Sequence, residues 1–398
     1  MEMEVADESQ RVAAATRVWN QLPEYLQLDV LARLPIETME IYRKVPIETM
    51  EIYRKVCDEQ CLLLCGRSSP GNNHCMAFCF YTWTWKVPAF NISNILDTNG
   101  SIWDHVVDIN GSAAGLIFAN LRINDWMPIV FNPYTGSSIR LPRMSSIRLI
   151  KHRRIIANGN NTYHVVALGF GFWDILDNQA LLVEIYDSCH KTWKVAGYIP
   201  WSTIDGVRIS TDEDRMVFCD GCFYFVGNGH LIPWRILGFS VPAGSNAAAY
   251  ADAEMPIPVL VAPLPELLPG FEMSWVKLVT CTGSRLIVVA NIHVPIIIPG
   301  GRLKGEGQVV LWEFQREGET WTWKEMSTMP SEFNNGGRYQ LSEFLFNCIG
   351  VGNFVCFTLY DTEYMVAYNV MDNSWSWLPA CGFNGTSLAF EPRSDMSV

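Results

Sequence analysis

The sequence predicts a multidomain protein of the α plus all-β class, in which a short helical domain precedes a β-propeller of six blades. Apolar residues recur at helical spacing near the N-terminus, up to residue 35. From about residue 76 onward, apolar runs of strand length alternate with turn residues, which is typical of β-structure. These runs recur in units that end in tryptophan or in Leu-Pro. Such repeats predict a propeller, because radial stacking covers both faces of every small sheet and leaves few exposed edges.

The first predicted helix begins at Leu22-Pro23. Proline suits the first helical position, because its missing N–H would have no intrahelical partner there. Leu26, Val30 and Leu34 then recur on one apolar face. Pro35 ends this helix or bends it sharply, and a short second helix with a basic end follows at 38–44, where cationic side chains suit the helix dipole.

A tandem duplication follows the first helix. The segment PIETMEIYRKV occupies residues 35–45 and is repeated letter for letter at residues 46–56. An eleven-residue insert would preserve the apolar phase of an unbroken helix, because it equals about three turns. Pro46 prevents such a helix, since proline removes a hydrogen bond and clashes with the previous turn. Either copy can therefore form the native helix, with the other copy looped out or extending it.

The pattern Leu-Pro-x-x-Leu-x-x-x-Val-Leu-x-x-Leu-Pro-Ile at residues 22–36, with the later Tyr-Arg-x-Val-Cys ending at Cys57, resembles the F-box of plant F-box/kelch proteins. In that family the F-box is a helical motif that binds a Skp-type adaptor. The resemblance implies an F-box domain at residues 19–66. It further implies an adaptor-binding surface of eight residues: Leu22, Pro23, Leu26, Val30, Leu31, Leu34, Pro35 and Ile36.

This chain departs from the family in two ways. It carries the duplicated segment twice, and Asp58 to Cys61 stand where the family usually has a tryptophan. Both departures bear on affinity for the adaptor. The alternative is an ordinary amphipathic helical hairpin that packs on the β domain of the same chain.

The composition is typical of a packed globular protein, with 49% hydrophobic and 18% charged residues. A net charge of −12 disfavours general nucleic-acid binding. No apolar run is long enough to span a membrane, and the acidic N-terminus lacks the apolar core of a signal peptide. We therefore expect residues 1–18 to be an acidic disordered tail. We also expect an intracellular protein, in the nucleus or the cytoplasm, whose 12 cysteines are mostly free thiols.

The β domain is predicted to occupy residues 75–392 and to contain one truncated and five full repeats. The repeats are 76–88, 115–142, 163–193, 221–265, 285–330 and 353–379. Their ends are about fifty to seventy residues apart, which is the range of kelch repeats. The Gly-Ser-Ala-Ala-Gly-Leu motif at 111–116 and the Asn-Pro-x-Thr-Gly motif at 132–136 resemble the kelch-like domain of the same plant family. A strand at 386–390 is expected to pair with the first blade and close the ring.

Two stretches between repeats are candidate binding elements. The basic stretch from Arg140 to Arg154 is predicted to be a loop that steers an acidic partner. Its candidate target-binding residues are Arg143, Lys151, Arg153 and Arg154. A solvated loop between blades would explain the same charges. The stretch Pro242 to Pro269 is predicted to be a long surface loop, which is either a recognition element or a tolerated insertion.

No catalytic residue, metal site or cofactor is predicted. Cys57, Cys61 and Cys65 are spaced by four residues, but they lack the paired Cys-x-x-Cys spacing of a zinc knuckle. Cys219 and Cys222 predict a β-turn with small buried thiols rather than a metal site. The sequence contains no phosphate-binding loop, nucleophile elbow or His-Glu-x-x-His motif.

The family resemblance implies a substrate-recognition subunit of a Skp–cullin–F-box ubiquitin ligase. The F-box would bind the Skp-type adaptor and, through it, the cullin, while the propeller would bind an unidentified target protein. The protein itself would catalyse no reaction, and would act by holding a target lysine near the ubiquitin-charged enzyme. One alternative is a propeller enzyme of the galactose-oxidase-like type with a helical extension that is not an F-box. Another is a degenerate F-box protein that has lost its partner through the duplication.

Overall fold

The structure is a computed structural model, and it describes most of residues 61–390 together with Val398. Within that range the gaps of six residues or more are 87–105, 172–179, 210–215, 241–256 and 335–345. Residues 1–60 lie outside the described residues, and with them the predicted acidic tail, both copies of the duplicated segment and the eight residues predicted to bind the adaptor. The helical F-box therefore stays a prediction.

The described residues form strands and two four-residue helices. Strands β1 to β11 are Cys61–Ser68, Asn72–Cys79, Thr84–Lys86, Val106–Ala113, Leu116–Ile123, Asp125–Phe131, Ser138–Arg140, Ile147–Ala157, Tyr163–Gly171, Ala180–Asp187 and Thr192–Pro200. Helix α1 is Trp201–Ile204, and strands β12 to β22 are Arg208–Ile209, Val217–Cys219, Cys222–Asn228, Arg235–Ser240, Val259–Pro263, Glu272–Cys281, Arg285–His293, Pro295–Ile298, Gly301–Lys304, Gln308–Glu317 and Thr320–Thr328. Helix α2 is Ser331–Asn334, and strands β23 to β27 are Phe346–Val351, Phe354–Leu359, Met365–Asn369, Ser374–Leu378 and Asn384–Phe390. Neither described helix is long and apolar enough to cross a membrane.

Six antiparallel sheets form the blades of a β-propeller. Blades 2, 3 and 6 are formed by consecutive strands, β4 to β7, β8 to β11 and β23 to β26. In blade 4, β12 and β13 both pair with β14 and together act as its inner strand, followed by β15 and β16. Blade 5 contains β17, β18, β21 and β22, and the β19–β20 hairpin lies between β18 and β21 in sequence. This arrangement confirms the predicted number of blades.

The C-terminal strand closes the ring. Because β27 pairs with β1, blade 1 consists of β27, β1, β2 and β3 in that order. The expected pairing of residues 386–390 with the first blade is thereby confirmed. The inner strands β27, β4, β8, β13, β17 and β23 contact one another in this order, and β23 contacts β27. Since four antiparallel strands return the chain to the side where it began, all inner strands begin on one side of the ring, the starting face, and end on the other, the ending face.

The first strand begins earlier than the sequence pattern predicts. Residues 61–66, assigned above to the helical domain, lie in β1, and the propeller begins before residue 75. Leu62 is fully buried and is paired with Phe78 on one side and Ala389 on the other. A short apolar run does not by itself distinguish a buried strand from a buried helix. The backbone pairing of this run with β2 on one side and β27 on the other shows that it is a strand.

Part of the predicted Pro-rich loop is also a strand. Residues 259–263 form β16, the outer strand of blade 4, which pairs with β15. Pro263 ends this strand, and a proline is tolerated on an outer strand because its missing N–H would face away from the sheet. The prediction of a continuous loop over 242–269 is therefore wrong for these five residues.

The hydrophobic core lies between neighbouring blades. Five clusters of buried side chains join blades 2 and 3, 3 and 4, 4 and 5, 5 and 6, and 6 and 1. Between blades 3 and 4, for example, Leu168 belongs to the same cluster as Phe225 and Phe239. Because both faces of a blade are covered, its strands carry apolar residues at successive positions, as in the buried run 165–168.

The tryptophan and proline residues at the ends of the repeats connect adjacent blades. In three interfaces, the indole N–H of a tryptophan in one outer strand donates to the backbone oxygen of a proline at the end of the previous blade's outer strand. The pairs are Trp85 with Pro379 (2.5 Å), Trp193 with Pro142 (2.8 Å) and Trp323 with Pro263 (3.0 Å). The tryptophans that recur in the sequence thus form the same hydrogen bond in these three interfaces, and the indole N–H of a largely apolar side chain thereby finds an acceptor.

Candidate functional site

Most of the predicted basic loop is a strand. The basic residues from Arg148 to Arg154 lie in β8, the inner strand of blade 3, and only residues 141–146 connect β7 to β8. The prediction of a loop through Arg154 is therefore wrong. Two bulges interrupt the pairing of β8 with β9, at Arg148 and at Lys151. Each bulge adds one residue and shifts the alternation of the side chains that follow, which hides the strand period in the sequence.

The four candidate target-binding residues lie in different surroundings. Arg143 is exposed in the 141–146 connection at the starting face. The Lys151 ammonium lies 5.6 Å from the centroid of the phenylalanine ring of β9, which is a cation–π distance. Arg153 donates a hydrogen bond to the side-chain oxygen of buried Asn120 in blade 2. Arg154 lines the central channel. The structure thus does not bring them together on one surface, and their role in target binding stays a prediction.

A buried carboxylate fixes the start of β8. Glu184 lies in β10 and is fully buried. Its carboxylate oxygens accept hydrogen bonds from the backbone N–H groups of Ser145 (3.0 Å), Ser146 (2.5 Å) and Ile147 (2.6 Å). A further hydrogen bond comes from the Ser145 hydroxyl at 3.3 Å. These bonds hold the connection that carries Arg143, and the sequence signal for them was a carboxylate inside the apolar run 181–186.

The centre of the ring holds a polar cavity. It contains about 460 Å³ of space without protein atoms, part of which is open solvent. Five inner strands line it, from β8, β13, β17, β23 and β27. The polar side chains among its lining residues include Arg154, Lys277 and Asn347, and no carboxylate belongs to the described lining. Arg154 and Lys277 thus place two cationic side chains in the lining of one cavity.

Two glycines allow the inner strands to pack closely around this cavity. A Cβ atom at Gly111 of β4 would lie 3.3 Å from the Arg154 guanidinium, so the absence of a side chain leaves room for that group. A Cβ atom at Gly350 of β23 would lie 2.0 Å from the backbone oxygen of Thr280 in β17. Blades 5 and 6 therefore approach each other at a distance that only glycine permits.

A histidine–aspartate cluster at the ending face of blade 3 has a structural explanation. The carboxylate of Asp187 lies 2.5 Å from Nδ1 of His190 and 3.8 Å from Nε2 of His164, and it accepts the N–H of Cys189 at 2.9 Å. Burial alone would raise the pKa of Asp187, but the hydrogen bonds from His190 and Cys189 lower it overall. Burial lowers the pKa of His164, against the opposing effect of Asp187. These contacts stabilise the turn between β10 and β11, as Asx-type turns do.

The Cys-x-x-Cys segment forms the turn that the sequence predicts. Cys219 and Cys222 are paired at the end of the β13–β14 hairpin, with positive φ angles at Asp220 (48°) and Gly221 (77°). Burial raises the pKa of Cys219 to about 12, so its thiol is protonated at neutral pH. Within the described part of the chain, no group of three or more His, Cys, Asp or Glu residues is placed to hold a metal ion.

Comparison with known sequences identifies two similar plant proteins. Protein UNUSUAL FLORAL ORGANS of Arabidopsis thaliana is 26% identical over 286 residues, which cover 70% of this chain and 56% of that protein. The chain thus spans little more than half the length of this relative. F-box only protein 6, also of Arabidopsis thaliana, is 24% identical over 383 residues, which cover 92% of this chain and 70% of that protein. No protein-family model matches the chain, so the kelch type of the repeats stays a prediction.

Solved structures with a distant likeness to this chain include two of bacterial and fungal origin. An α-L-arabinanase of Penicillium chrysogenum gives a TM-score of 0.39 at 9% identity, covering 69% of this chain and 81% of that one. TolB of Acinetobacter baumannii also gives 0.39 at 9% identity, covering 86% of this chain and 70% of that one. Likenesses at this level do not assign a function.

Proposed function

We propose that this chain is the target-recognition subunit of a Skp–cullin–F-box ubiquitin ligase. The N-terminal segment would bind a Skp-type adaptor, and through it a cullin, while the propeller would bind the target protein. The observation that carries the proposal is the similarity to F-box only protein 6, which covers 92% of this chain. Since the uncovered remainder is shorter than the 60 residues before Cys61, the alignment must extend into the segment that carries the F-box pattern.

The propeller suits the target-binding half of this role. It is a closed ring whose connections on each face come from six blades, so that residues far apart in sequence can contact one partner. The protein would catalyse no bond chemistry and would need no cofactor. It would raise the effective concentration of a target lysine near the ubiquitin-charged enzyme, which is a proximity effect. Such a role would place the protein in the nucleus or the cytoplasm.

The test is co-purification of the full chain with a Skp-type adaptor and a cullin. Burial of each leucine side chain contributes about 1.5–3 kcal/mol, so the double change Leu26→Asp and Leu34→Asp should abolish recovery of the adaptor. Leu149→Asp is the matched control, because this leucine is 45% exposed on the propeller. It should leave adaptor recovery unchanged.

The far-ultraviolet circular dichroism of each variant must keep its β signal, which separates loss of binding from loss of folding. Failure of the unaltered chain to recover the adaptor would contradict the proposal. Recovery after deletion of residues 46–56 alone would instead identify a chain whose F-box has been inactivated by the duplication.

A further inference from the structure

We propose that an aromatic corner on the starting face of blade 6, formed by Tyr364 and Trp377, is a binding site for a methylated lysine side chain of a partner protein. The site lies on the propeller and requires neither the adaptor nor the cullin. The inference therefore goes beyond the proposed function, and the two can fail independently.

The direction of the strands brings both aromatic residues to the starting face. Tyr364 comes directly before Met365, the first residue of β25, and Trp377 is the second-to-last residue of β26. The inner strand β23 begins on the starting face, so β25 also begins there and β26 ends there. Val366 pairs with Trp377 and belongs to the hydrophobic cluster between blades 5 and 6. The aromatic corner thus lies at the starting-face edge of blade 6, on the side that faces blade 5.

The two side chains form the walls of an open corner. Their ring centroids are 6.3 Å apart, and the ring planes meet at 78°. Tyr364 is 53% exposed and Trp377 is 38% exposed, so a ligand can reach both rings from solvent. A cation in such a corner can lie about 5 Å from both centroids, which is within the distance of about 6 Å at which the quadrupole of an aromatic ring attracts a cation.

A buried ring holds Trp377 in place. Phe333 of helix α2 is only 7% exposed, and its ring centroid lies 5.4 Å from that of Trp377. Phe333 also lies 6.2 Å from the ring of Trp375 and belongs to the hydrophobic cluster between blades 5 and 6. Because these contacts restrict the indole before a ligand arrives, binding costs less side-chain entropy than it would at an unsupported surface residue.

The chemistry of the corner favours a methylated ammonium group. Tryptophan is the strongest aromatic partner of a cation, and tyrosine also attracts one. An unmodified lysine carries three strongly hydrated N–H donors, which ring faces satisfy poorly. Trimethylation removes these donors and keeps the positive charge. The exposed Glu332, next to Phe333 in α2, and the net charge of −12 are complementary in sign to such a ligand.

The openness of the corner favours a side chain of a protein over a small free cation. Sites for small ligands usually enclose most of the ligand surface, whereas one wall of this corner is more than half exposed. A protein would also cover the surface around it. Phe271, directly before β17, and Leu149, the third residue of β8, lie on the same face. Together with Tyr364 and Trp377 they are four of the five exposed large hydrophobic residues in the described part of the chain.

The experiment measures binding of a short glycine peptide with a central Nε-trimethyllysine to the full-length protein. Saturation-transfer difference NMR suits this ligand, because it detects weak binding through the methyl signals. We expect saturable binding, and we expect Trp377→Leu and Tyr364→Leu each to weaken it about threefold or more, because each removes one cation–π contact. Phe271→Leu is the matched control, because it removes a 40% exposed aromatic ring from the same face outside the corner. It should leave the affinity unchanged.

A second arm replaces the trimethylammonium group of the peptide with a neutral tert-butyl group of the same shape. The neutral peptide should bind about threefold more weakly or worse, and equal binding would overturn the proposal by reducing the site to an apolar contact. Lack of saturable binding, or equal weakening by Phe271→Leu, would also overturn it. Tighter binding of choline than of the peptide would overturn the assignment to a protein side chain. Trp377→Phe, which keeps an aromatic ring, should retain part of the affinity and thereby exclude misfolding as the cause.

Discussion

Replacement of Glu184 by alanine should lower the free energy of unfolding of the propeller, because it leaves backbone N–H groups without an acceptor. The carboxylate accepts three backbone N–H groups, and the one from Ile147 is fully buried. Leaving a buried donor without an acceptor costs about 1–3 kcal/mol. The N–H groups of Ser145 and Ser146 are part-buried, so water can replace the carboxylate there at a lower cost. We therefore expect a loss of about 3 kcal/mol in the free energy of unfolding.

Glu184→Gln should cost nearly as much as the alanine change. An amide keeps one oxygen acceptor but turns an N–H₂ group toward backbone N–H groups, and donors cannot bond to donors. Urea denaturation followed by tryptophan fluorescence measures the effect, because Trp193 donates to the backbone oxygen of Pro142 beside this connection. The matched control is Glu325→Ala, an exposed position in β22 that should change stability by less than about 0.5 kcal/mol. A loss below about 1 kcal/mol for both Glu184 variants would refute the reasoning, because a single unmet buried donor should cost at least that.

Three further predictions concern Gly350, His164 and the second copy of the duplicated segment. Gly350→Ala places a Cβ atom 2.0 Å from the backbone oxygen of Thr280, so it should force blades 5 and 6 apart. The midpoint of thermal unfolding, measured by calorimetry, should therefore fall. An unchanged midpoint would mean that the contact relaxes without cost. The folded protein lowers the pKa of His164 below its ordinary value of 6.5, so the unfolded chain binds a proton more readily than the folded protein does. The stability that is present above pH 6.5 should therefore be lost as the pH falls through the folded-state pKa. His164→Asn should flatten that part of the stability curve in urea titrations between pH 7 and pH 5, whereas an unaltered curve would assign the loss to other groups. Deletion of residues 46–56 restores the family spacing, so the variant should bind the adaptor as tightly as the unaltered chain or more tightly, as measured by surface plasmon resonance. A large loss of affinity would mean that the second copy has a structural role.

The number of blades could be predicted because its signals are local. Each unit carries its own turn residues and its own closing tryptophan or Leu-Pro, and the structure uses these residues in repeated contacts such as that of Trp193 with Pro142. The closing of the ring by β27 was also predictable, since a truncated first repeat needs one more strand. The start of the propeller was not, because the apolar run from Cys61 fits a strand or a helix equally well until its partners are known.

The candidate site could be predicted only in part, because it depends on contacts between distant residues. The sequence singled out Arg154, but its bulged strand resembles a charged loop, and so its place in the channel was missed. Lys277 and Asn347 carry no signal of their own, since they line the same cavity as Arg154 only after six blades have closed into a ring. Glu184 meets the backbone of Ser145 across 39 positions of sequence, a separation at which no local pattern operates.

The topology also constrains how a ligase subunit of this kind would present its target. Cys61, the first residue of β1, is paired with Phe390, the last residue of the inner strand β27. Inner strands end on the ending face, so the preceding N-terminal segment is joined to the ring on that side of blade 1. The 141–146 connection, with the exposed Arg143, lies on the opposite, starting face.

Under the proposed function, the N-terminal segment would hold the adaptor on the side of the ending face, which would leave the starting face better placed to hold a protein target. Among the four basic residues proposed as target contacts, Arg143 is the one in a connection at the starting face, whereas Arg154 lies three residues from the ending-face end of β8. We therefore expect charge steering of an acidic target to depend on Arg143 and its neighbour Arg148, both exposed. Arg154 lines the channel instead, near the other end of the same strand. A basic stretch that is continuous in sequence is thereby spread between the two faces of the ring by the direction of one strand.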